Sequence, residues 1–167
     1  MMVTAMKHLA LVGGSHGIGR ELLQGWLRDG HRVWVAAREP EPLRSLGCEC
    51  QFFDATQPVN LTWPERLDGL VYCPGTITLK PFARCSQEDF LRDYQINVLG
   101  AVAVLQSALP ALKQSPHAGV VLFSTVAVAQ GMAFHASIAA AKGAIEGLAR
   151  SLAAEWAPRI RVNVVAP

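Results

Sequence analysis

Residues 8–19 read His8-Leu9-Ala10-Leu11-Val12-Gly13-Gly14-Ser15-His16-Gly17-Ile18-Gly19. The first five form a short apolar run that stops at a pair of glycines, which is the pattern of a buried strand. From Gly17 the period changes: Ile18, Leu22, Leu23, Trp26 and Leu27 recur at helical spacing up to Asp29, and Gly30 follows as a C-terminal cap. A glycine-rich turn between a strand and a helix has a physical use. Its backbone N–H groups and the positive end of the helix together form a receptor for an anion such as a phosphate.

Outward from this unit the alternation repeats. Arg32 to Ala37 reads as a second strand, Glu39 to Gly47 as a short helix or turn, and Glu49 to Phe53 as a third strand. Pro58 and Pro64 argue against a crossover helix between Ala55 and Leu67. Leu67 to Cys73 is the fourth strand. Ser86 is an N-cap with Asp89 three residues on, and a long helical pattern runs from Glu88 through Leu112 with a bend near Gly100. Gly119 to Ser124 is the fifth strand, Ser137 to Trp156 an Ala-rich helix, and Ile160 to Val165 the sixth strand. Strands separated by helical segments predict an α/β fold with a doubly wound parallel sheet, a Rossmann fold in a single domain. The chain stops at Pro167 with no helix to cover the sixth strand, so a domain truncated after that strand is expected.

Composition fits this class and narrows the partners. The chain has 167 residues, of which 51% are hydrophobic and 17% charged, as suits a parallel sheet covered on both faces. A net charge of +2 without a run of Lys or Arg predicts no nucleic-acid footprint and no basic membrane patch. Leu99 to Leu112 and Val120 to Val128 fall short of the roughly 20 residues of a membrane span. Cys48, Cys50, Cys73 and Cys85 lack zinc-site spacing, so no metal is expected, and the absence of a signal peptide pattern points to reduced thiols in the cytoplasm.

Gly13, Gly17 and Gly19 are spaced GxxxGxG, and several later segments agree with that spacing in order. Asp54 follows the third strand, Gly75 ends Tyr72-Cys73-Pro74-Gly75, and Asn97-Val98-Leu99-Gly100 has the form NxxG. Ala140-Ala141-Lys142-Gly143-Ala144 leads into Arg150-Ser151-Leu152-Ala153 and then Arg161-Val162-Asn163-Val164-Val165-Ala166-Pro167. In this set the chain resembles the short-chain dehydrogenase/reductase family over nearly its whole length. The resemblance implies a nicotinamide dinucleotide cradled by Gly13, Ser15, His16, Gly17, Ile18 and Gly19, with Asp54 at the adenine and Gly75, Asn97 and Lys142 further along. At the end of the second strand, where a carboxylate would bind the ribose of NAD, stands Arg38, whose guanidinium suits a 2′-phosphate. NADP(H) is therefore expected rather than NAD(H).

The same resemblance implies a catalytic Tyr four residues before the Lys, where i and i+4 share a helix face. Ile138 stands there, and it cannot transfer a proton. Asn97, Thr125 (with Ser124 beside it) and Lys142 occupy the other catalytic positions. His135 lies seven residues before Lys142, two helical turns away, where the enoyl-reductase branch places its Tyr, and imidazole is a competent proton donor. The expected activity is hydride transfer to a carbonyl or activated C=C of a small or thioester substrate. The alternative is a non-catalytic NADP(H)-binding sensor or partner subunit that has lost its proton donor. A homodimer or homotetramer through the two long helices is also implied.

Overall fold

In the computed structural model, which describes residues 5–167, six strands form one sheet: β1 (His8–Val12), β2 (Arg32–Ala37), β3 (Glu49–Phe52), β4 (Gly69–Tyr72), β5 (Ala118–Phe123) and β6 (Ile160–Val165). All pairings are parallel, in the order β3-β2-β1-β4-β5-β6. This is the doubly wound α/β sheet that the sequence predicts. The chain reverses its winding direction between β1 and β4, and the carboxyl ends of those two strands open a crevice there.

Alternation along the strands divides the core in two. Ala10, Val12, Leu70 and Tyr72 face one side, where they pack with α4 (Gly100–Leu112) and α6 (Ala136–Trp156). Leu11, Val33, Val35 and Val71 face the other, against α1 (Gly17–Arg28) and α2 (Glu41–Arg44). Leu11, Leu23, Leu43, Leu70, Leu105 and Ile145 are fully enclosed, so truncating any one of them would cost about 2–5 kcal/mol. Along β6, Arg161 and Asn163 are exposed while Ile160 is buried.

The helical run after Ser86 is where the fold departs furthest from its sequence pattern. It is continuous from α3 (Gln87–Tyr94) to Leu112, but residues Gln95–Leu99 form a π-helical stretch. A π-bulge frees a backbone carbonyl, and here Tyr72 donates its hydroxyl to the Ile96 carbonyl at 2.6 Å. The ring reaches that carbonyl only because residue 100 is glycine: a Cβ there would strike the Tyr72 hydroxyl and come within 2.7 Å of Ala55 Cβ. Gln95 Nε2 adds a bond to the Ala55 carbonyl at 2.8 Å. The expected bend is thus a bulge pinned to β4 and to the loop after β3.

Two helical elements extend beyond the sequence reading. The apolar stretch Leu99–Leu112 lies within Gln87–Leu112, one 26-residue helical run that is long and apolar enough to cross a membrane by length and composition. Half of its apolar window is buried inside the protein, and Asp93 and Asn97 lie fully buried within the run, as in a core helix. The segment Val126–Gln130, which lacks helical periodicity, forms a one-turn helix α5, because the Thr125 side chain caps it by accepting from Ala127 N.

Candidate active site

The crevice holds a cavity of about 530 Å³, lined by the ends of four strands: Gly13, Ser15 and His16 after β1, Ala37 and Arg38 at β2, Asp54 after β3, and Cys73 to Thr76 after β4. The cradle is set by steric need. Gly13 (φ +85°) and Gly17 (φ +54°) hold left-handed backbone that favours glycine. At Gly19 a Cβ would collide with the Gly13 carbonyl oxygen and lie 3.4 Å from Cys73 Sγ. Only a glycine lets the first turn of α1 close onto the strand. His16 caps α1 in extended backbone without a side-chain hydrogen bond, and no acidic residue lies in the first turn. The helix therefore presents uncompensated N–H donors toward the crevice, which suits an anion.

Arg38 is exposed on the cavity rim beyond β2, and its positive charge acts on Asp54. Asp54 accepts from Thr56 N (2.8 Å) and Thr56 Oγ1 (2.7 Å), and these bonds, with Arg38, hold its carboxyl below the usual range. Asp54 is thus an ionised acceptor. Ile18 is half exposed at the start of α1 and does not line the cavity.

Asn97, Thr125, His135 and Lys142 do not line the cavity, but Asn97 and Lys142 converge on its wall at Gly75. A Cβ at Gly75 would be 3.1 Å from Asn97 Oδ1 and 3.6 Å from Lys142 Nζ, so the bare glycine leaves room beside both groups. Asn97 Nδ2 donates to Thr76 Oγ1 (2.9 Å) and to the Asp93 carbonyl (2.8 Å), while Asn97 Oδ1 is buried with no partner. An unpaired buried acceptor next to an ammonium group is poised for a ligand or water hydroxyl. Burial pushes the Lys142 ammonium down to about 8, opposed by the nearby Asp93 carboxylate. Burial likewise pushes the Cys73 thiol up to about 11, so it sits at the cavity wall as a neutral group.

Ser124 is buried and donates to Glu146 Oε1 at 2.7 Å, which commits its proton elsewhere. Thr125 accepts from Ala127 N and keeps its own proton free to donate. Ile138 is 3% exposed, part of the packing of α6. Neither tyrosine replaces the missing acid: Tyr72 is buried with its hydroxyl committed to Ile96, and Tyr94 is exposed on α3. His135 stands at the N-cap of α6 with Nδ1 2.7 Å from the Ala133 carbonyl, so Nδ1 donates there and Nε2 is the free ring nitrogen.

Sequence reasoning missed the polar cluster behind Asn97. Asp93 is fully buried and accepts from Thr76 Oγ1 (2.6 Å), Thr78 Oγ1 (3.2 Å) and Ser137 Oγ (2.7 Å). The signal was present in part, because Asp93 precedes Asn97 by one helical turn on the same face.

Comparison with known proteins agrees with this geometry. The family model described as enoyl-(acyl carrier protein) reductase matches residues 48–167. The human 3-oxoacyl-[acyl-carrier-protein] reductase is 31% identical over 96% of this chain and 74% of its own length. A tropinone reductase homologue of Arabidopsis thaliana is 29% identical over 98% of this chain and 69% of its own. Among solved structures, a short-chain dehydrogenase from Shigella flexneri superposes with a TM-score of 0.90 at 26% identity, covering 99% of this chain and 73% of that one. A short-chain dehydrogenase of Escherichia coli complexed with NADPH superposes with a TM-score of 0.88 at 26% identity, covering 96% of this chain and 76% of that one. With a sheet order, a glycine cradle and a matched family model that all coincide, the chain belongs to the short-chain dehydrogenase/reductase family and is an oxidoreductase of that type.

Proposed function

We propose that the chain is an NADP(H)-dependent reductase that delivers hydride to a carbonyl or an activated C=C of a small or thioester substrate. The observation that carries this reading is a cavity bounded by an uncapped helix start, Arg38 and Gly75, with Lys142 and Asn97, which do not line it, converging on Gly75. Support for the phosphorylated cofactor comes from Arg38 and from the NADPH complex of the E. coli relative. Support for a thioester substrate comes from relatives named for acyl-carrier-protein substrates.

The residues fit such a cofactor. Gly13, Ser15, His16 and Gly17 would take the pyrophosphate, Ile18 and Gly19 complete that turn, and Arg38 would grip the 2′-phosphate with a forked contact. Asp54 would meet the adenine. Reduced nicotinamide, when bound, supplies the hydride. Lys142 and Asn97, which converge on Gly75, would hold the ribose, and Thr125, whose hydroxyl proton is free, would donate to the substrate oxygen. Hydride delivery to carbon needs one proton to complete the reduction, and Ile138 cannot give it. His135 or a water supplies it, with Nε2 of His135 as the donor atom once protonated. The exposed Leu91, Tyr94 and Leu99 on the outer face of α3 and the π stretch suit a homodimer or homotetramer.

The test is NADPH oxidation against a panel of ketones, 3-oxoacyl thioesters and enoyl thioesters, in wild type and Lys142→Ala. The expected result is turnover on at least one thioester class, lost in the variant. NADPH binding without turnover on any of them would instead favour the non-catalytic binder that Ile138 suggests.

A further inference from the structure

Asp93 is a carboxylate with no exposure to solvent and, among the described residues, no Lys or Arg within ion-pair distance. A buried charge of this kind is costly unless it is fully hydrogen-bonded. Here three hydroxyls satisfy it: Thr76 and Thr78 on Oδ1, from the loop after β4, and Ser137 on Oδ2, from the start of α6. Two chain segments of the site, the loop after β4 and the start of α6, are thereby tied to one side chain on α3.

The proton count fixes more than position. A carboxylate only accepts, so the single hydroxyl proton of Thr76 points at Asp93 Oδ1, 2.6 Å away. Toward Asn97, Thr76 Oγ1 can then only accept, so the carboxamide must present Nδ2 to it at 2.9 Å. The second Nδ2 proton goes to the Asp93 carbonyl at 2.8 Å. Both donors of Asn97 are committed, and its orphaned Oδ1 is left facing Gly75 and Lys142. The titratable groups that face Lys142 are Cys73 from the end of β4, whose thiol burial keeps neutral, and Asp93 from α3.

We propose that Asp93 is a positioning residue: its carboxylate, acting through the Thr76 hydroxyl, fixes the Asn97 carboxamide with Oδ1 toward Lys142 and keeps a compensating negative charge near that lysine. The inference rests on the reading of Lys142 and Asn97 as cofactor-site groups. Asparagine at 93 would break the logic, because its amide could donate to Thr76, release the Thr76 proton toward Asn97 and allow the carboxamide to turn over.

The chain has four lysines, so side-chain carbon NMR can follow each of them, with Lys142→Met assigning its signal. In the cofactor-free protein Lys142 should titrate near 8. In Asp93→Asn it should titrate about one pH unit lower, since a stabilising charge and an acceptor are both lost. An unchanged titration in the folded variant overturns the proposal. If Asp93→Asn does not fold, Thr76→Val carries the same test with the carboxylate retained. The freed carboxamide should again lower the Lys142 titration, and a wild-type value would overturn the link. These titrations need no cofactor, so a wild-type chain that failed to bind NADPH would remove the proposed function and leave the Asp93 result readable. Where NADPH binds, its affinity at pH 8 should be about fivefold weaker in Asp93→Asn, the drop in protonated Lys142 that a one-unit shift produces.

Discussion

At the β1 end of the cavity the site is made of backbone: glycines that admit a left-handed turn, a carbonyl against which no Cβ fits, and N–H groups at the start of α1. At the α6 end it is made of side chains, with Asn97, Thr76, Asp93 and Ser137 linked in one buried network beside Lys142. The difference decides how each end fails. A backbone site fails sterically and almost completely, whereas a side-chain network fails by degrees and in a pH-dependent way.

The largest effect should come from the backbone end. Gly19→Val places a branched side chain against the Gly13 carbonyl and Cys73, and should abolish NADPH binding while lowering the melting temperature. Fluorescence titration and thermal unfolding check both, and a variant that binds like wild type breaks the comparison. At the other end, Lys142→Met should reduce turnover by about 100-fold or more, as loss of a catalytic group does, without loss of stability. The sign follows from burial, which holds the Lys142 pKa at about 8, below the ordinary lysine value of 10.5. The folded state pays a penalty for the ammonium that is fully present below about 8 and is relieved as pH rises from there toward 10.5. Removing the charge should therefore leave stability at pH 7 equal or higher, and ammonium-dependent NADPH binding in wild type should decline as pH rises through about 8.

Arg38→Ser sharpens the contrast within the cofactor end, because this residue acts through a side chain on an otherwise backbone site. Loss of a charge-assisted, forked contact should weaken NADPH by about 10- to 100-fold and leave NADH unchanged. Equal losses for both cofactors would assign Arg38 another role. The smallest effect should be at Ser86, far from either end. Its hydroxyl accepts from Asp89 N while Asp89 Oδ2 accepts from Ser86 N at 2.9 Å, a capping box that also holds Lys80 through Asp89. Ser86→Ala should cost about 1 kcal/mol in denaturant unfolding with cofactor affinity intact.

The same contrast explains what could be seen in advance. Strand and helix positions, the turn glycines and Arg38 follow from local requirements on backbone and period, so residues 8–38 announce their fold directly. The π stretch at Gln95–Leu99 could not be read, since the contact that pins it comes from Tyr72, 24 residues earlier, reaching the Ile96 carbonyl over Gly100. Helix α5 was invisible for a related reason: Val126-Ala127-Val128-Ala129-Gln130 has strand-like composition, and only the Thr125 cap and its packing against α6 make it helical. Asp93 shows the limit most clearly. Its spacing from Asn97 is in the sequence, but its three hydroxyl partners come from two segments brought together only by the sheet.

The central claim is that a nicotinamide dinucleotide phosphate lies across both ends of this cavity. Isothermal calorimetry with NADPH and NADH on the folded chain tests it most directly. The account predicts NADPH binding at least tenfold tighter than NADH, and no detectable heat with either cofactor would contradict it.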